Sequence, residues 1–281
     1  MATFATSDQL LVIIDPASRE RDGESVRIAK DVLSAGATTK VCLPDGPEEL
    51  ARALGRRGSR RPVVVGDDRA LVRAVTLLHR RRELTGCGLA VVPVGGAALA
   101  ESLGVPAGAV AAARAVLEGR ERRLDLLVDE SDGVVLGGLG IPPVRETACE
   151  PVAGPPPSGR PWLRTTYRTL VRTLAARPGP VVPAPGPSRL RVQVDGETVV
   201  DLDEPVEAVS VTPGACGVAR VEVRPLSVGA AATPLLVSGT TVTVTGADFR
   251  YRADAQVSGP VRRRTWRVVE GAWGLTLPAS R

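Results

Sequence analysis

The chain has 281 residues, 43% hydrophobic and 24% charged, which suffices for one large domain or two modest ones, each with its own core. Only 2% of residues are aromatic, so the core must be built from Val, Leu and Ala, and the base-stacking platforms of single-stranded nucleic acid binders are excluded. The net charge of +5 is carried almost wholly by arginine, in short runs such as Arg80-Arg81-Arg82 and Arg262-Arg263-Arg264, which suit either a solvated surface or an anionic headgroup layer.

The first half alternates between strand and helix signals. Residues 10–14, "LLVII", form an apolar run of strand length. Residues 24–35 place Val26, Ala29, Val32 and Leu33 at helical spacing. A short strand at 39–43 precedes a helix at 47–54 that begins with Pro47 and carries Glu48 and Glu49 in its first turn. Strands at 63–65 and 89–92 alternate with helices at 70–82, 97–103 and 109–117. Apolar strands interleaved with helices predict a parallel sheet covered on both faces. Ligands of such sheets bind beyond the carboxyl ends of the strands, here Asp15-Pro16, Gly66-Asp67-Asp68 and Gly95-Gly96.

After residue 124 the pattern changes. Residues 124–128 and 133–136 suggest a strand pair. Residues 142–161 and 178–187 are connectors rich in proline, and 163–176 is an amphipathic helix with Arg164, Arg168 and Arg172 on one face. That face suits solvent or an anionic membrane. From residue 189 the chain alternates apolar and polar residues, with turns at Asp195-Gly196, Pro213-Gly214 and Ser258-Gly259. The expected organisation is an α/β N-terminal domain at 1–124, connecting strands, linker and helix at 125–188, and an antiparallel, sandwich-like all-β domain at 189–281. The N-terminus lacks a basic region followed by an apolar one, so no signal peptide is expected. Cys42, Cys87, Cys149 and Cys216 form no C-x-x-C pair, which predicts mostly buried, reduced thiols in a cytoplasmic protein. His79 is the sole histidine, which speaks against Ser-His-Asp or Cys-His catalysis.

Four segments, in order, resemble the diacylglycerol kinase catalytic family, the bacterial lipid kinases related to sphingosine kinases. "IIDPAS" at 13–18 is similar to a strand ending in Asn-Pro-x-Ser. "VVVGDDRAL" stands where that family has Gly-Gly-Asp-Gly-Thr. "VVPVGGAALAESLGVP" at 91–106 is similar to its Pro-x-Gly-Thr-x-Asn segment, and "RRLDLLVDESDGVVLGGLG" at 122–140 to its exit strands. The resemblance implies transfer of the ATP γ-phosphate to a diacylglycerol-like lipid in an interdomain cleft. It implies Asp68 as Mg²⁺ ligand and catalytic residue, Asp254 as a second catalytic carboxylate, and Asp15, Ser18, Gly66, Asp67, Arg69, Gly95 and Gly96 around the nucleotide. The chemistry is physical: glycines let backbone amides approach phosphate, and a carboxylate can hold the cation that neutralises it.

The chain departs from that pattern at the ligand-facing positions. Asp67 and Arg69 stand where glycines are expected, Ala70 and Gly96 for Thr, Ala98 and Asp15 for Asn, and Gln256 for the Glu of an Asp-Gly-Glu turn. Each site residue also has a structural role open to it. Asp68 could cap the following helix, Asp67 could sit in its first turn, Ser18 could form a local turn, and Gly95-Gly96 could be a plain strand-to-helix turn. An alternative therefore stands beside the kinase: a catalytically degenerate kinase-fold protein that binds a partner, a lipid or an altered nucleotide. An NAD-kinase-like enzyme is disfavoured, because 103–106 follows the lipid-kinase pattern. No nucleic-acid partner is expected; peripheral contact with an anionic membrane is.

Overall fold

Strands β1 (Gln9–Ile14), β3 (Arg61–Gly66) and β4 (Gly88–Pro93) are buried at every position after the first. Successive strand residues point to opposite faces, so both faces of these strands are covered. The computed structural model describes residues 9–142, 188–226 and 233–279. The predicted helix at 163–176, the prolines on either side of it and Cys149 lie outside the described residues.

With β2 (Thr38–Cys42) at one edge, the parallel strands run in the order β2-β1-β3-β4. Their register pairs Leu10 with Thr39 and with Arg61, and Val63 with Ala90. Helix α1 (Pro16–Arg21) follows β1 directly. Helix α2 (Gly23–Gly36) is capped by Asp22, whose side chain accepts from the Ser25 amide at 3.0 Å, and it buries Val26, Ala29 and Leu33. It packs on α6 (Ala109–Glu118), while α3 (Pro47–Gly55) packs on α4 (Asp68–Arg80). Leu33, Leu54, Leu71 and Leu78 are fully buried, and each contributes about 1.5–3 kcal/mol relative to exposure.

The remaining strands are antiparallel to their neighbours, apart from one contact. They are β5 (Arg120–Asp129), β6 (Val134–Val135), β7 (Leu139–Ile141), β8 (Ser188–Val194), β9 (Glu197–Val200), β10 (Pro205–Pro213), β11 (Ala219–Pro225), β12 (Leu235–Gly239), β13 (Thr241–Ala253) and β14 (Gln256–Leu277). Alternation directs Leu190, Val192 and Val194 of β8, and Ala219, Val221 and Val223 of β11, into a second core. That core also holds Phe249, Tyr251 and Trp266, with Tyr251 edge-on to Trp266 at a centroid distance of 5.2 Å.

The exception is β14. Its first part pairs with β13, placing Trp266 in the second core, whereas Trp273 lies in the first. The register slips between Val269 and Trp273, where Gly271 has φ +50. Asp125 fixes this bulge by accepting from the Gly271 amide at 2.7 Å and the Gly217 amide at 2.8 Å. Beyond it, Gly274 and Leu275 pair in parallel with Gly88 and Leu89 of β4, and the other side of the strand pairs with β5. One sheet thus runs through both cores, and all described residues belong to one compact unit.

The thiols differ from expectation. Cys87 is buried and Cys42 partly so, and burial pushes both above the usual thiol range. Cys216 is exposed, on a turn at φ +60. Among the described residues, no helix is long and apolar enough to cross a membrane.

Candidate active site

The carboxyl ends of β1, β3 and β4 lie side by side, tied by backbone bonds from the Asp15 amide to the Val65 carbonyl and from the Val94 amide to the Gly66 carbonyl. Beyond β3 the two adjacent aspartates diverge. Asp67 caps α4, its side chain accepting from the Ala70 amide at 3.0 Å. Asp68 gives its amide to the Gly96 carbonyl and turns its carboxylate across to α5 (Ala98–Ser102). There it accepts from the Leu99 amide at 2.9 Å and the Ala100 amide at 3.0 Å. Of the two structural roles open to this pair, the cap belongs to Asp67. Asp68 stitches the loop after β3 to the loop after β4.

Asp15 and Ser18 lie beneath these loops. Asp15 is 7% exposed and caps α1, accepting from the Ser18 amide at 3.1 Å, and it pairs with Arg73 at 2.5 Å. The Ser18 hydroxyl is within reach of Asp15 Oδ2 and the Val94 carbonyl, and the residue is fully buried. Gly66 fits tightly above them: a Cβ there would stand 2.9 Å from the Cβ atoms of both Ala70 and Asp15. Gly95 and Gly96 are exposed, with Gly95 at φ +92. Arg69 is exposed. Arg21, at the end of α1, lies on the Gly95 backbone instead, with Nη1 3.8 Å from Asp67 Oδ2. The sequence offered a signal for Arg21. Asp15-Pro16 is a helix start, and a helix there sets Arg21 three residues from Ser18, on the same face.

The second carboxylate comes from the antiparallel strands. Asp254 occupies the turn between β13 and β14 with φ +46. It accepts from the amides of Leu136, Gly137 and Gly138 at 2.8, 2.7 and 3.1 Å. Burial pushes its pKa above the usual carboxylate range, the three amides oppose the rise, and the charge of Asp68 adds to it. Leu99 connects the two sites: its amide is held by Asp68, and a Cβ on Gly137 would stand 2.5 Å from its Cδ1. Leu136 and Gly137 were not singled out from the sequence, since nothing local marks an amide as a carboxylate clamp. Gln256 is exposed beside this turn.

No protein-family model matches the sequence, and no curated protein does. Solved structures do. Two structures described as candidate diacylglycerol kinases from Bacillus anthracis str. Sterne align over 97% and 99% of this chain and 98% of theirs, at 12% and 15% identity and TM-scores of 0.68 and 0.69. A third, described as a diacylglycerol kinase from the same organism, aligns over 97% of each chain at 11% identity and a TM-score of 0.60. The chain has the diacylglycerol kinase fold.

On that fold, Asp15, Asp67, Arg69, Ala70, Gly96 and Ala98 all follow the carboxyl ends of parallel strands, whereas Gln256 stands at the start of β14, beside Asp254. Among the described residues no three His, Cys, Asp or Glu side chains form a metal cluster. A nucleotide-borne Mg²⁺ asks less, taking one or two carboxylates together with phosphate oxygens and water. Asp68 supplies a carboxylate of that kind beside both loops, its oxygens also accepting from two α5 amides. Exposed Gly95 and Gly96 leave backbone open to a phosphate chain, with open space where a Gly96 side chain would be.

Proposed function

We propose that the protein is a nucleotide-dependent phosphotransferase of the diacylglycerol kinase type, acting on the hydroxyl of a diacylglycerol-like lipid at a membrane surface. The observation that carries this reading is the convergence of Asp68 and Asp254, from different parts of the chain, on Leu99 and Gly137. Bound Mg-ATP would supply the phosphoryl group with its charge neutralised, and Asp68 would hold the cation. Asp254 is the base: its raised pKa brings it nearer to the operating pH, so a carboxylate oxygen can accept the proton of the lipid hydroxyl. The amides of residues 136–138 fix its orientation, and Leu99 and Leu136 keep water from the space beside it.

A second reading, a kinase-fold protein that binds without transferring, is favoured by a separate observation. Asp68 fills the Leu99 and Ala100 amides, which a phosphate oxygen would otherwise use. Thermal unfolding with Mg-ATP separates the two. Saturation at a hundred times Kd stabilises the fold by about 2.7 kcal/mol. The phosphotransferase reading expects that shift, and labelled phosphate in diacylglycerol presented in mixed micelles. Asp254→Asn is expected to abolish transfer while leaving the ATP-induced shift. No shift at millimolar ATP would leave the binding-protein reading standing.

A further inference from the structure

Arg21 occupies an unusual position. Its side chain is 55% exposed, yet Nη1 lies 2.7 Å from where a Gly95 Cβ would be. The guanidinium therefore rests on the backbone of the loop assigned above to the phosphate chain, next to the open space at Gly96. Only the absence of a side chain at Gly95 permits this approach. The pairing partner of Arg21 is Asp67 at 3.8 Å, a residue 16% exposed and fixed as the cap of α4. Asp67 is one of the positions where the family pattern has glycine. Arg73, by contrast, is engaged by buried Asp15.

A pair this long and this open to water is weak, so Arg21 can leave it. A guanidinium also matches the geometry of phosphate oxygens better than that of one distant carboxylate. We propose that Arg21 is the cation that binds a polyphosphate chain over Gly95 and Gly96, and that Asp67 is a built-in competitor that holds Arg21 until the chain arrives. The proposal rests on the phosphotransferase reading for its choice of site, and it names the recognised chemistry as polyphosphate. Asp67 then sets the affinity: it must surrender Arg21, and it repels the incoming anion.

The test is calorimetric titration of the full chain with ATP, inorganic tripolyphosphate and adenosine at low salt. The variants are Asp67→Asn, Arg21→Gln, the double variant, Arg69→Gln, and Arg80→Gln as a charge control. Asparagine caps helices as well as aspartate, so Asp67→Asn keeps α4, and thermal unfolding verifies each fold. Asp67→Asn is expected to tighten both polyphosphate ligands about fivefold, and Arg21→Gln to weaken them about tenfold. In the Arg21→Gln background the gain from Asp67→Asn falls below about twofold, because only the repulsion remains to be removed. Equal gains in both backgrounds would overturn the proposal. So would loss of binding with Arg69→Gln in place of Arg21→Gln, a response by ATP without tripolyphosphate, or no binding by any variant. Binding that follows the expected pattern without lipid phosphorylation retires the phosphotransferase reading and keeps the arginine. Phosphorylation with an unchanged KM for ATP in Arg21→Gln does the reverse.

Discussion

The parallel and antiparallel parts of the molecule each hold one carboxylate with backbone amides, and they do so to different effect. Asp68 takes two amides from the start of α5. Asp254 takes three from the extended segment at 136–138. Amide donors stabilise the charged form of a carboxylate, and three should depress its pKa. At Asp254 burial outweighs them, and the nearby charge of Asp68 works in the same direction. A clamp of amides orients a carboxylate without fixing its proton affinity; the surrounding dielectric decides that.

The comparison can be broken most severely at the two tryptophans, one in each core. Trp266→Ala and Trp273→Ala are each expected to cost about 3–5 kcal/mol, measured by urea unfolding. If β14 couples the cores, each variant shifts one cooperative transition; separate transitions would show two independent halves. Neither indole nitrogen has a hydrogen-bond partner among the described residues, so the Phe variants lose no hydrogen bond and are expected to cost much less.

The site glycines sharpen the contrast at the next level. Gly66→Ala should cost about 2–3 kcal/mol, because the new methyl group meets the stiff Cβ atoms of Ala70 and Asp15. Gly137→Ala should cost about 1 kcal/mol, because the Leu99 side chain end can rotate away. Thermal unfolding of the two variants tests the order. A Gly137 variant worse than the Gly66 one would make the antiparallel wall of the site the stiffer.

Smaller effects have opposite signs with pH. Burial raises the Asp254 pKa in the folded state, so its contribution is complete below the unfolded value and lost as pH rises through the folded one. Wild type should therefore gain stability relative to Asp254→Asn as pH falls from 7 to 4. Asp195 is the reverse: hydrogen bonding to Thr240 lowers its pKa, so its contribution is present above the unfolded value and lost as pH falls. Wild type should lose its advantage over Asp195→Asn as acid is added below pH 4, and solvent screening makes this the smallest effect. Urea midpoints across the pH series read both.

Where burial is local in sequence, the elements could be read in advance. Continuous apolar runs gave away β1, β3 and β4, and proline followed by glutamates marked the start of α3. The start of α4 came out two residues early, at Asp68 rather than Ala70, because the choice between two adjacent aspartates depends on the distant amides of α5. Asp195-Gly196 is the positive-φ turn that its chemistry suggested. Arg21 escaped notice because α1 is only six residues long, and Arg69 drew the attention by lying inside the motif. The joining of β14 to β4 could not be read at all, since nothing in residues 272–277 reports a partner nearly two hundred positions earlier.

That last strand also bears on how the chain can be made. A ribosome delivers β4 long before residues 273–277, yet those residues lie between β4 and β5 in the finished sheet. Until those residues emerge the nascent chain carries an open β4 edge, and the Trp273 position in the first core waits to be filled. The parallel half is therefore completed only by the strand whose first residues follow the Asp254 turn, so a chain stopped before residue 273 would lack a closed core beneath the loops that carry Asp68 and Gly95.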